Sequence, residues 1–178
     1  MFAIIYFLLF FIAIAFNDHS PFMKFPKLDG TFGSVMLLDM MISIGIGLLI
    51  VMVSWGIGRI SDSFRNLARS FKDLLGPLSF SEIFFIAAFS SVSEEFFFRG
   101  LLQEKIGLVF SSTIFGMLHS GPGRKYLPWT IFAVGMGFVL GLTYQWRKNL
   151  LVPVIIHFVV NLLNLMVMQK LESKPEES

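Results

Sequence analysis

Long apolar blocks alternate with short polar interruptions along this chain. The blocks cover residues 1–16 ("MFAIIYFLLFFIAIAF"), 34–58 ("SVMLLDMMISIGIGLLIVMVSWGIG"), 80–92, 106–118, 127–144 and 150–168. A helix needs about 20 mainly apolar residues to cross a bilayer. The pattern therefore predicts an all-α fold, a polytopic integral membrane bundle of about six transmembrane helices. Residues 17–34 carry two prolines, two glycines and Asn/Asp/Ser punctuation, which makes them a loop. Residues 59–75 follow a different rule. Ile60, Phe64, Leu67, Phe71, Leu74 and Leu75 recur at helical spacing, while Arg59, Asp62, Arg65, Arg69, Lys72 and Asp73 take the other positions. This predicts an amphipathic helix in the interface, its basic side toward lipid headgroups.

Gly76 and Pro77 then break the chain, and Ser79 with Glu82 has the spacing of a capping box at a new helix start. That helix can run without proline to about Lys105. The apolar stretch 106–118 ends at His119, just before Gly121, Pro122 and Gly123. It is too short to span alone unless it continues the preceding turn or ends within the membrane. Pro128 opens the next span, in which Gly137 and Gly141 have the small-xxx-small spacing that lets helices approach closely. "QWRKN" makes a tight turn into the last span, and the tail "QKLESKPEES" reads as polar and disordered.

Composition sharpens this picture in three ways. Of the 178 residues, 55% are hydrophobic and 22 are Phe, so the chain has more oil than a soluble domain of its size. The absence of cysteine excludes disulfides and thiolate chemistry, and a net charge of +2 gives no sign of nucleic-acid binding. The Lys and Arg residues, counted over the loops, favour both termini inside. "AIA" at 13–15 has the look of a signal-peptidase site, but no Lys or Arg precedes the apolar run, so the first block is read as a retained helix.

Ionisable residues inside spans cost about 3 kcal/mol at a helix centre, so they face a protein interior or a wet cavity. The candidates are Asp39, Glu94, Glu95, Arg99, His119 and His157, joined by Asn161 and Asn164. Asp39 sits near a helix start and reads as interfacial; Asn164 reads as interhelical glue. Glu95 and Arg99 are four apart, carboxylate first, the better order for an ion pair on a helix. Glu94, about 100° round from Glu95, has no partner in its own helix and is free to take and give protons. His157 and Asn161 share a face, as do Phe115 and His119. Buried polar groups need partners, so Glu94, His119, His157 and Asn161 are expected to meet around water.

In order and spacing, "EEFFFR" at 94–99, "FGMLH" at 115–119 and "HFVVN" at 157–161 resemble the CAAX protease and bacteriocin-processing (CPBP, or Abi) family of intramembrane endopeptidases. Its pattern is Glu-Glu-x-x-x-Arg, Phe-x-x-x-His and His-x-x-x-Asn on successive helices. The resemblance covers about residues 79–165. It implies that Glu94 and His119 hold and activate an attacking water, that His157 and Asn161 donate to the tetrahedral oxyanion, and that Arg99 holds Glu95. It implies a peptide or protein substrate within the lipid bilayer, prenylated or not, no nucleic acid, no cofactor, and an integral protein of a prokaryotic plasma membrane. The organisation expected is a first helix and loop (1–34), a second helix with the interfacial helix (35–78), a catalytic membrane core (79–168) and a tail (169–178).

Other readings stay open at this point. Glu94, His119 and His157 could supply three ligands of a catalytic zinc, although the chain has no His-Glu-x-x-His signature. A non-catalytic membrane scaffold or immunity protein, or a transporter using intramembrane Glu and His, would carry the same residue types.

Overall fold

Local signals in the sequence set most of the helix ends. The structure, a computed structural model, describes residues 2–16 and 32–171. In chain order it consists of α1 (Phe2–Ala15), α2 (Phe32–Ile60), α3 (Asp62–Leu75), α4 (Phe80–Glu95), a π-helical segment (Phe96–Leu102), α5 (Gln103–Leu118), a 3₁₀ turn (Arg124–Tyr126), α6 (Leu127–Arg147) and α7 (Leu151–Gln169). Most of the expected loop, 17–31, and most of the tail, 172–178, lie outside the described residues. The capping box predicted at α4 is present: the Ser79 backbone N–H donates to Glu82 Oε2 at 2.8 Å, and the Glu82 N–H donates to Ser79 Oγ at 3.3 Å. Ser61 caps α3 and separates it from α2, so Arg59 and Ile60 belong to the second span rather than to the amphipathic helix.

Among the described residues, four helical tracts are long and apolar enough to cross a membrane: Val35–Ile60, Phe80–Leu118, Arg124–Arg147 and Leu151–Gln169; α1 is a shorter apolar helix. This is a polytopic helical membrane bundle. Leu37, Leu38, Met41, Leu49 and Met52 on α2 point outward and are exposed, forming part of the surface that faces acyl chains.

The tract Phe80–Leu118 is 39 residues long but is not straight. Gly107 has φ 81° and ψ 169°, a conformation that a residue with a Cβ rarely adopts. Beyond it the chain doubles back: the Ser111 hydroxyl donates to the Phe98 carbonyl at 3.2 Å, and the Phe98 and Phe115 rings meet edge-on at 4.9 Å. The short stretch 106–118 is therefore the returning arm of a hairpin. This arm packs closely on α6. A Cβ at Gly137 would lie 2.9 Å from Ser112 Cα, and one at Gly141 would run into the Leu108 side chain. The small-residue spacing on α6 thus serves the close approach it predicts. The core beneath is Phe98, Phe115, Ala133, Met136, Leu140, Val152, Ile156 and Val160.

Asp39, read as interfacial, is wholly buried against the α6–α7 turn. Its two carboxylate oxygens accept from Arg147 Nε at 2.6 Å and Asn149 Nδ2 at 3.0 Å, while Asn149 Oδ1 accepts from the Val152 N–H at 3.3 Å. One side chain on α2 therefore ties down the α6–α7 turn and the first turn of α7. Nothing in the local sequence pairs residues so far apart along the chain.

Asp39→Ala removes a buried charge from a pair and leaves its partners unsatisfied, at a cost on the order of 3 kcal/mol. Thermal unfolding in detergent should show the midpoint fall, with Asp39→Asn recovering part of the loss.

Candidate active site

Two antiparallel helix pairings build the site. In the hairpin that turns at Gly107, Glu94 and His119 lie at nearly matching distances along the chain on either side of the reversal, as do Phe98 and Phe115. The fold therefore sets Glu94 opposite His119. Against α7, Glu94 faces His157 and, one turn earlier, Ser90 faces Asn161. The outcome is a compact cluster. His119 Nε2 lies 3.5 Å from Glu94 Oε2, and His157 Nε2 lies 3.9 Å from the same oxygen. That oxygen has no hydrogen-bond partner among the described residues. Glu94 and His157 are 6% and 4% exposed, so the cluster is almost dry. His119 is more open, its side chain 21% exposed. The structure thus brings together Glu94, His119 and His157, with Asn161 one helical turn away on the His157 face.

Glu95 has the ion pair its spacing predicts. Arg99 reaches Glu95 Oε2 through Nε at 3.1 Å, and its Nη1 donates to Oε1 at 3.2 Å. Both side chains are buried. Two further contacts are not visible in the spacing. The other guanidinium nitrogen, Nη2, donates to the Gly137 carbonyl at 3.0 Å, and His157 Nδ1 lies 2.8 Å from Glu95 Oε1. Glu95 is therefore shared between Arg99 and His157. The backbone that carries this pair changes character: from Phe96 to Leu102 it is π-helical, with the Gln103 N–H bonded to the Phe98 carbonyl. Such widened turns recur at functional sites.

The Nδ1 contacts orient both imidazoles. His119 Nδ1 is 2.7 Å from the Phe115 carbonyl, which can only accept. Nδ1 therefore carries a proton, and Nε2 is turned toward Glu94. His157 Nδ1, against the Glu95 carboxylate, is fixed in the same sense. His119 is braced between the rings of Phe115 at 4.4 Å and Trp129 at 5.3 Å, and Trp129 in turn packs on Phe71 of α3 at 4.5 Å. Asn161 Nδ2 donates to Ser90 Oγ at 2.9 Å. Ser90 was missed in the sequence, although it lies one turn before Glu94 on the same face. Asn164 accepts from the Ser54 hydroxyl at 3.0 Å, which is interhelical glue as expected.

A dry cluster of a carboxylate, two oriented imidazoles and a carboxamide inside a helical membrane bundle has the make-up of a hydrolytic site. Comparisons with known proteins show what this segment is similar to. Residues 76–163, just under half of the chain, match the model described as type II CAAX prenyl endopeptidase, Rce1-like. It is 38% identical to YpbD of Bacillus subtilis over 90 residues, covering 51% of this chain and 47% of that protein. It is 31% identical over 93 residues to MroQ of Staphylococcus aureus, whose name is membrane-embedded CAAX protease, covering 44% of this chain and 36% of MroQ. Over 96 residues it is 28% identical to YxdF of Lactococcus lactis, covering 51% of this chain and 52% of YxdF. The chain thus spans about half, or less, of the curated relatives it matches. No solved structure matches it significantly.

The two glutamates should behave differently in stability measurements. Arg99→Ala strands the Glu95 carboxylate in the core and should cost about 3–5 kcal/mol, read as a lower unfolding midpoint in detergent. Glu94→Gln removes a carboxylate whose Oε2 has no hydrogen bond to lose, and the midpoint should stay put or rise.

Proposed function

We propose that this protein is an intramembrane endopeptidase that hydrolyses a peptide bond with water activated by Glu94 and His119, and that His157 and Asn161 stabilise the oxyanion. The observation that carries the reading is the approach of two imidazoles, from separate helices, to Glu94 Oε2, which has no hydrogen bond among the described residues. Glu94 Oε2 and His119 Nε2 both accept, so a group with two protons fits between them. A water there donates one hydrogen to each, which raises the electron density on its oxygen. As that oxygen attacks the scissile carbonyl carbon, Glu94 takes the proton; it later returns one to the departing amine.

The developing oxyanion needs donors aimed at it in a dry pocket. Asn161 has a second Nδ2–H beyond the one given to Ser90. The second donor proposed is His157, whose Nε2 faces Glu94 while its Nδ1 is held by Glu95.

The substrate proposed is a membrane-borne peptide. A cavity of about 320 Å³ between α1 and α4, walled by Phe7, Phe10, Phe85, Phe89 and Ser93, offers room for an apolar group of such a substrate. The name of MroQ supports proteolysis; prenylation of the substrate is a finer matter for assay. A zinc-dependent reading has one observation in its favour. Both histidines have Nδ1 engaged and Nε2 turned toward Glu94, as metal ligands commonly do. Against it, no group of three His, Asp or Glu among the described residues has the arrangement of a metal site.

Purified protein in proteoliposomes, incubated with prenylated and unprenylated quenched peptides, should cleave. Glu94→Gln and His119→Ala should abolish turnover, and Asn161→Ala should lower it about 100- to 1000-fold, the usual loss for one oxyanion donor. Cleavage at the wild-type rate by Glu94→Gln overturns the mechanism. Activity that falls with a chelator and returns with zinc replaces it by the metal reading.

A further inference from the structure

We propose that Ser90 is a positioning residue for Asn161, holding the carboxamide so that its nitrogen, not its oxygen, is presented toward the oxyanion. The inference rests on the reading of Asn161 as an oxyanion donor. Ser90 is 2% exposed. Its hydroxyl donates to the Ala87 carbonyl at 3.2 Å. A hydroxyl has one proton, and once that proton is committed to a carbonyl only its lone pairs are left for other neighbours. Asn161 meets Ser90 with an N–H at 2.9 Å, the arrangement those lone pairs favour. A carboxamide free to flip would offer its oxygen to the site half the time, and an oxygen repels an oxyanion. One hydrogen bond from α4 removes that ambiguity.

The register of the two helices reinforces the assignment. α4 and α7 are antiparallel, and Ser90 and Asn161 form one rung of contact. The next rung, one turn toward the π segment on α4 and one turn back on α7, is Glu94 and His157. Ser90 is thus tied to the proposed catalytic rung by a single turn on each side.

The test has two readouts. The first is kinetic, with a quenched fluorogenic peptide selected from a library by cleavage with the wild-type protein in proteoliposomes. Ser90→Ala should lower kcat about 10- to 100-fold, the scale of a misdirected catalytic group, with KM nearly unchanged. Ser90→Thr, which keeps the hydroxyl, should restore most of it. In an Asn161→Ala background, Ser90→Ala should cost nothing more. The second readout does not depend on turnover. In protein labelled with 15N-asparagine, the Asn161 carboxamide signal, assigned by its loss in Asn161→Ala, should move in Ser90→Ala and return in Ser90→Thr.

An unmoved carboxamide signal overturns the inference, as does a Ser90→Ala loss that multiplies with that of Asn161→Ala. If Asn161→Ala is impaired while Ser90→Ala cleaves normally, the inference alone falls. If Asn161→Ala cleaves at the wild-type rate, the donor role falls and takes the inference with it.

Discussion

A carboxylate sealed in an apolar bundle has to be neutralised where it lies, because removing an ion from water costs several kcal/mol even after the protein relaxes. Glu95 is where that demand organises this structure. Wholly buried, it is held by Arg99 from its own helical tract and contacted by His157 from α7. Arg99 passes the constraint on to α6 through the Gly137 carbonyl. Three elements are thereby locked to one side chain. The direction of Glu94 follows from this lock. As the preceding residue it points about 100° away, and with Glu95 facing Arg99 and His157 Nδ1, its own carboxylate meets the Nε2 faces of His119 and His157. One glutamate is consumed in holding the helices, and its neighbour is left available for chemistry.

The backbone supplies the rest of the geometry through two departures from a regular helix. The π segment over Phe96–Leu102 carries Arg99, and the left-handed turn at Gly107 folds the tract back on itself. Without the reversal, His119 would continue away from Glu94 instead of returning beside it. The close contacts of Gly116 and Gly137 with Val134 and Ser112 let the returning arm lie against α6. In a bilayer, where lipid tails are as apolar as the helices, such close packing and interhelical hydrogen bonds do much of the work that the hydrophobic effect does in water.

Much of this was legible in the sequence, for reasons that also mark where legibility ends. Apolar blocks, the Ser79–Glu82 cap, the α6 glycines and the Glu95–Arg99 spacing are local signals, and periodicity exposes them. The ordered motifs pointed to Glu94, His119, His157 and Asn161 because each lies in oil where a polar group is costly. Contacts between helices depend on register and rotation, which a single chain's spacing does not encode. Hence His157 on Glu95, Ser90 on Asn161 and the burial of Asp39 were not read. Gly107 was a middle case: the stretch 106–118 was visibly too short to cross, but only the positive φ explains that it turns back.

The family match begins at residue 76, yet the site does not stand on residues 76–163 alone. Phe10 of α1 packs on Phe96 at the start of the π segment, with ring centroids 5.3 Å apart. Asp39 of α2 fixes Asn149, which caps the helix bearing His157 and Asn161. Phe71 of α3 braces Trp129, the ring against His119. Each of the first three helices therefore supports a different part of the cluster from behind. Two of these supports are aromatic contacts, worth about 0.5–1.5 kcal/mol each beyond their area and open to exchange among large apolar residues. The motif residues have no such freedom, because an imidazole, a carboxylate and a carboxamide differ in what they can donate and accept.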